Sequence, residues 1–206
     1  MVIGKDKFLI AEAGINHNGS LKKAFKLVDE AKKAGANAIK FQTYITEKRV
    51  KKTSPIYSIL KKCELSFDEF SKIKKYADRK KIIFFSTPFD KESVQFLNKL
   101  KVKLFKIASF DISNFELVKE IIRTKKPTII STGMASIIEI QDIIRMFKKQ
   151  RIKYYLLHCV SSYPTKEEDS FLKNIIFLKE KFSIPIGLSD HTNDIKTSIY
   201  KIRNFT

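Results

Sequence analysis

Short, almost wholly apolar runs alternate along this chain with longer amphipathic stretches. The runs cover residues 8–13, 38–42, 82–86, 104–108, 128–131, 154–158 and 184–188, and are rich in Ile, Phe, Leu and Tyr. Strands that bury both faces have this character, and parallel sheets bury both faces. Helical periodicity fills the gaps at 21–34, 66–79, 91–100, 115–123, 137–149 and 170–182. Ser20 precedes the first helix and Gly35 follows it. Ser66 and Asp68 open the second, and Ser136 with Glu139 forms a capping-box pattern. Strict alternation of strand and helix predicts an α/β fold with right-handed crossovers.

Two architectures fit that alternation: an open doubly wound sheet and a closed (β/α)8 barrel. Polar, chemically able residues recur near the ends of strand after strand: Glu12, Lys40, Thr87, Ser109, Ser131, Ser161 and His191. A doubly wound sheet concentrates its site at one switch point, whereas a barrel draws on many strand ends. No GxGxxG or GxxxxGK[ST] occurs. The expectation is a (β/α)8 TIM-type barrel, incomplete at about seven of eight strands, because the eighth βα unit would begin where the chain stops. Residues 195–206 read as a helical start followed by a short tail from 201. No composition break marks a linker, so 1–206 is expected to form one domain.

Composition narrows the classes. The 206 residues are 43% hydrophobic and 31% charged, with 6 Gly and 5 Pro, which is a globular balance. No apolar window is long enough to span a membrane, and the start of the chain lacks a signal-peptide cleavage pattern, so a cytoplasmic location is expected. Cys63 and Cys159 stand far apart with no CxxC partner, and free buried thiols are expected. The net charge of +19 raises a nucleic-acid surface as an alternative. The lysines are spread over nearly every predicted helix, however, and the aromatics are mostly Phe inside apolar runs. No nucleic acid is therefore expected as a partner, and a basic surface would instead steer an anionic substrate.

Each candidate has its own chemistry. Glu12 is a carboxylate within an apolar run, costly to bury unless paired. Lys40 and Lys106 sit mid-strand in AIKFQT and LFKIASFD, where a solvated face is not expected. Two such lysines in separate parallel strands favour an anion site, with both ammonium groups converging at one rim of the barrel. STPF at 86–89 and STG at 131–133 put hydroxyls and backbone N–H groups just past a strand, a suitable cradle for oxygen anions. His17 reads as loop structure. His191, beside Asp190, could ligate a metal, but one histidine needs further ligands.

The segments IAEAGINHNGS, AGANAIKFQTY, SILKKCELSFDEF, FFSTPFD, FKIASFD, KPTIISTGMAS, LLHCVSSYPT and IGLSDHT, in this order, resemble the sialic acid synthase family. The resemblance runs from residue 10 to residue 192. It implies condensation of phosphoenolpyruvate with an N-acetylated amino sugar, N-acetylmannosamine or a 2,4-diacetamido relative, to give a nonulosonic acid and phosphate. By motif match, phosphoenolpyruvate would be held by Lys40, Thr87, Lys106, Ser109, Ser131, Ser161 and Ser189. Glu12 and Tyr163 match residues at the sugar and the reacting carbon, and Glu12, Lys106 and His191 are the catalytic candidates. His191 also matches one of two histidine ligands of a divalent metal, Mn2+ or Mg2+. Family members are homodimers with a small C-terminal antifreeze-like domain, which is absent from this chain, as is the EKHF segment with the second metal histidine. Ala108-Ser109-Phe110-Asp111 stands where the family often has GSGE, and Ser161 where it often has Asn. The resemblance leaves an alternative open: a barrel remnant that binds ligand without turnover.

Overall fold

The computed structural model describes residues 7–193 and 195–204, with the side chains of 201–204 left aside. Among the described residues, the strands within each of the chain's two compact units pair in parallel and in sequence order. This is the expected α/β class, a (β/α)8-type topology counted at seven strands. The chain divides after Phe105 into two compact units.

The first unit contains β1 (Ile10–Gly14), α1 (Leu21–Lys33), β2 (Ala38–Thr43), α2 (Thr46–Arg49), α3 (Tyr57–Cys63), α4 (Phe67–Arg79), β3 (Ile83–Pro88) and α5 (Lys91–Lys99). It ends within β4 (Phe105–Ile107), whose Phe105 pairs with Ser86. Register assigns the two faces of this sheet. Phe41 stacks on Phe84 at 5.6 Å and meets Phe70 of α4 edge-on at 6.4 Å, so this face is turned to the helices. Glu12, Lys40 and Gln42 alternate with those positions and therefore share the opposite face. Phe41, Phe70, Phe84, Phe85 and Phe105 are fully buried. Each such side chain contributes about 1.5–3 kcal/mol by leaving water, an upper estimate given a compact unfolded chain.

The second unit holds α6 (Phe115–Arg123), β5 (Thr128–Ser131), α7 (Ile137–Lys149), β6 (Tyr154–His158), α8 (Lys173–Phe182), β7 (Ile186–Leu188) and α9 (Lys196–Asn204). Ile129 pairs with Tyr155 and Ser131 with Leu157, while Leu156 pairs with Ile186. Phe147 of α7 lies 6.1 Å from Tyr154, which marks the helix-facing side and puts Ser131 on the other.

Several boundaries differ from expectation for physical reasons. The last strand starts at Ile186 instead of 184, because Pro185 has no N–H to give to a ladder. The helix expected at 170–182 begins at Lys173, after a 3-10 turn at Glu167–Ser170 and a left-handed Phe171. The last helix continues to Asn204, past the break expected at 201. α2 and α3 were not expected, since neither is long enough to display an apolar stripe. Ser66 and Ser136 both close complete capping boxes. The partner of Ser66 is Glu69, three residues on, and Asp68 is not part of the box. Both cysteines are free and buried, as expected. Among the described residues no helix is long and apolar enough to cross a membrane.

Candidate active site

In the first unit, a bulge in β1 between Glu12 and Gly14 interrupts the register with β2 and leaves Glu12 directly opposite Lys40. Bulges commonly re-aim a side chain beside a functional site. Glu12 Oε2 lies 2.7 Å from Lys40 Nζ, and the same ammonium donates to Thr87 Oγ1 at 3.0 Å. The lysine side chain is 11% exposed and the glutamate 53%, so the pair sits at an edge between protein and solvent. The carboxylate expected to be costly inside an apolar run is thus paired and half solvated. On the helix side of the same strands, Thr43 and Ser86 share a 2.7 Å hydroxyl contact that ties β2 to β3.

The loop after β1 is built around two constraints. His17 is buried, and its Nδ1 accepts from the Gly19 N–H at 3.2 Å, which makes it a structural residue of the turn. Burial holds its imidazole below the ordinary histidine range, opposed in part by the Glu69 charge and the Gly14 backbone. Gly19 has φ +72°, and a Cβ there would lie 2.2 Å from the Lys62 carbonyl oxygen. Only glycine fits.

The second unit carries its own cluster. Lys106 Nζ donates to Ser131 Oγ at 2.6 Å and to its neighbour's carbonyl, Ile107 O, at 2.7 Å. Ser109, in the 3-10 turn that follows β4, lies 2.9 Å from Ser161 hydroxyl to hydroxyl. Gly133 lets the segment that carries Ser161 pack closely against the end of β5. A Cβ at that position would come within 2.6 Å of both Cys159 O and Cys159 Sγ, and 3.0 Å of Ser161 Oγ.

Beyond β7, the His191 Nδ1–H donates to the Val160 carbonyl at 2.6 Å, which fixes the tautomer and turns Nε2 outward. Ser189 Oγ and Tyr163 Oη lie 3.2 and 3.3 Å from Nε2, and the Tyr163 ring covers the imidazole at 4.2 Å between centroids. Tyr163 itself is 76% exposed. Asp190 does not touch the imidazole. Its carboxylate accepts from Thr192 N–H and Oγ1 and from Ser198 Oγ, so it fastens the loop that carries His191. An oriented imidazole with its far nitrogen held by a carbonyl suits a metal ligand. Among the described residues, though, no group of three His, Cys, Asp or Glu is placed to hold a metal ion. His191 fits as one ligand, and the described side chains do not complete the set.

The candidates therefore fall into two groups: Glu12, Lys40 and Thr87 in one unit, and Lys106, Ser109, Ser131, Ser161, Tyr163, Ser189 and His191 in the other. A family model, the NeuB family, matches residues 27–203. The chain belongs to the NeuB family. It is 46% identical over 200 residues to an uncharacterized protein of Methanocaldococcus jannaschii, covering 97% of this chain and 59% of that one. It is 39% identical to a pseudaminic acid synthase of Campylobacter jejuni, covering 91% of this chain and again 59% of the relative. The chain thus spans less than two thirds of these relatives' length. Among solved structures, N-acetylneuraminic acid synthetase of Leptospira borgpetersenii, in complex with citrate, superposes with a TM-score of 0.93 at 39% identity. That match covers 98% of this chain and 73% of the Leptospira chain.

Sequence reasoning passed over two side chains at the first cluster, Gln42 and Arg49. Gln42 lies two residues beyond Lys40 on the same strand face, so the period of two could have found it. Arg49 carried no signal of its own, because a basic residue in TEKR reads as solvated helix surface.

Proposed function

We propose that this NeuB-family chain carries substrate-binding residues of a nonulosonic acid synthase, which condenses phosphoenolpyruvate with N-acetylmannosamine or a 2,4-diacetamido sugar. The observation that carries the reading is that each unit holds a lysine ammonium among hydroxyls, on segments shared with such synthases. Lys40 lies against Thr87, and Lys106 against Ser131. Phosphoenolpyruvate carries a phosphate and a carboxylate, and such anions bind best to cations and hydroxyls already in position. The Leptospira relative binds citrate, another small polyanion, which agrees with that chemistry.

In the proposed reaction, C3 of phosphoenolpyruvate forms a bond to the aldehyde carbon of the open-chain sugar, and the aldehyde oxygen takes up a proton. Water adds at C2, and cleavage of the C2–O bond releases inorganic phosphate to leave the 2-keto acid. The resemblance assigns Lys40 and Thr87 of the first unit, and Lys106, Ser109, Ser131, Ser161 and Ser189 of the second, to binding of the three-carbon acid. Glu12 and Tyr163 would act on the sugar. A divalent ion, Mn2+ or Mg2+, would take His191 Nε2 as one ligand and supply Lewis-acid polarisation of the aldehyde.

The test is phosphate release by the purified protein with Mn2+, phosphoenolpyruvate and a panel of N-acetylmannosamine and 2,4-diacetamido sugars. The expected result is one phosphate per nonulosonic acid, dependent on both substrates. Absence of release with every sugar, together with no rise in Tm on adding phosphoenolpyruvate, overturns the proposal.

A further inference from the structure

Arg49 ends α2, outside all the segments that carry the family resemblance to the active site. Its guanidinium carbon lies 3.7 Å from the centroid of the Phe89 ring and 4.7 Å from that of Tyr44. Both rings are buried, and the Tyr44 hydroxyl is tied to the Leu60 carbonyl at 2.9 Å. The cation therefore rests on a fixed aromatic platform just past the ends of β2 and β3, where stacking suits a planar guanidinium better than an ammonium. From there Nη1 donates to Gln42 Oε1 at 3.2 Å.

That bond decides which way the carboxamide points. A guanidinium has donors only, so the end of Gln42 that faces it must be the oxygen, and the NH2 must face the other way. On that other side lies Gly14, whose φ is +50°. A Cβ there would be 3.8 Å from Gln42 Nε2 and 3.2 Å from Glu12 Oε1. With no side chain at Gly14, the Gln42 amide nitrogen and a Glu12 carboxylate oxygen, on the carboxylate paired with Lys40, both lie within 4 Å of the point a Cβ would occupy.

We propose that Arg49 is a positioning residue that locks the Gln42 amide so that its NH2 donates into the Glu12–Lys40 site. The inference deepens the synthase reading and rests on it for the identity of the ligand group, an oxygen of the sugar. A reversed amide would set a second acceptor beside the Glu12 carboxylate and would repel that oxygen.

Two readouts test it. The first needs no turnover: the Gln42 side-chain NH2 pair in the 1H–15N spectrum of the folded chain. It should be dispersed and slow to exchange in the wild type, and should collapse towards free-amide positions in Arg49→Met. The second is kinetic. Arg49→Met should raise KM for the sugar about tenfold, the scale of one charge-assisted hydrogen bond, and leave KM for phosphoenolpyruvate within about twofold. Gln42→Glu strengthens the contact with Arg49 yet removes the donor, so it should raise the sugar KM similarly with no loss of Tm. A purely structural role for Arg49 predicts the opposite for Gln42→Glu, an unchanged sugar KM. Arg49→Lys keeps the charge and stem and carries the same comparison if Arg49→Met fails to fold. Unchanged Gln42 amide signals in a folded Arg49 variant overturn the inference. A wild type inactive with every sugar and not stabilised by phosphoenolpyruvate overturns the synthase reading alone, because the amide measurement still judges the lock.

Discussion

Glu12 and Lys40 face each other across β1 and β2 at 2.7 Å, so any anion drawn to this ammonium must compete with a carboxylate already there. The competition is tunable because the glutamate is half exposed. Glu12→Gln would leave Lys40 with a neutral partner and strengthen anion binding. A half-solvated ion pair is worth about 0.2–1 kcal/mol, so inorganic phosphate or phosphoenolpyruvate should bind up to about fivefold more tightly. Turnover should fall in the same variant if Glu12 acts on the sugar. Titration calorimetry and phosphate release measure the two effects separately, and weaker anion binding by Glu12→Gln would contradict the arrangement.

Gly133 should tolerate no side chain. Gly133→Ala would drive a methyl group to 2.6 Å from a backbone oxygen, Cys159 O, which cannot rotate away. Overpacking of this kind costs about 1–3 kcal/mol. The expected result is a lower Tm together with loss of the Ser109–Ser161 contact, seen as weaker binding of phosphoenolpyruvate. An unchanged Tm would mean that the loop after β5 is free to move.

The helix caps offer a stability control away from the candidate site. In Ser66→Ala and Ser136→Ala one capping box is lost in each unit, and each should cost about 1 kcal/mol without altering ligand binding. Chemical denaturation of the two variants measures this, and an effect on phosphate binding would show that the helices are coupled to the site.

The fold was readable because buried parallel strands and amphipathic helices leave opposite signatures, and the caps at Ser20, Ser66 and Ser136 mark where one gives way to the other. Lys40 and Lys106 stood out by the same logic, as charges where the pattern demands apolar residues. Legibility failed where structure depends on contacts between distant residues. The role of Gly133 comes from its approach to Cys159, and that of Arg49 from a platform of Tyr44 and Phe89. Asp190 shows the reverse case: its adjacency to His191 promised an oriented imidazole, but the Val160 carbonyl orients it.

Acid should weaken the fold through two histidines. Burial holds both His17 and His158 below the ordinary imidazole range, and the Ser170 carbonyl at 2.8 Å from His158 Nε2 only partly offsets this. The unfolded chain takes up protons at both near pH 6.5, whereas the folded chain does so only at lower pH. Stability from these groups is therefore fully present above about pH 6.5 and is lost as pH falls towards the folded values. Tm should be level from pH 8 to 7 and decline below 6.5. His158→Gln, which keeps a donor for Ser170, should flatten that decline. A Tm that holds or rises on acidification would refute the account.

The anion site proposed for the second unit can be tested without catalysis. Lys106 donates to Ile107 O and Ser131 Oγ, so its position is fixed before any ligand arrives. A ligand that binds only the folded chain raises its stability with the logarithm of concentration, about 2.7 kcal/mol at a hundred times Kd. Phosphoenolpyruvate should therefore raise Tm by several degrees, with inorganic phosphate giving less because it lacks the carboxylate. Lys106→Met should remove most of this shift, since hydrogen bonds to a charged group contribute about 1.5–3 kcal/mol and the variant leaves the anion without that partner. Ser131→Ala should remove less of it, because the ammonium keeps its bond to the Ile107 carbonyl and with it much of its orientation. The order of the two losses matters more than their size. If Ser131→Ala costs more than Lys106→Met, the serine hydroxyl and not the lysine charge dominates the site, and the ammonium belongs to the structure of β4 alone.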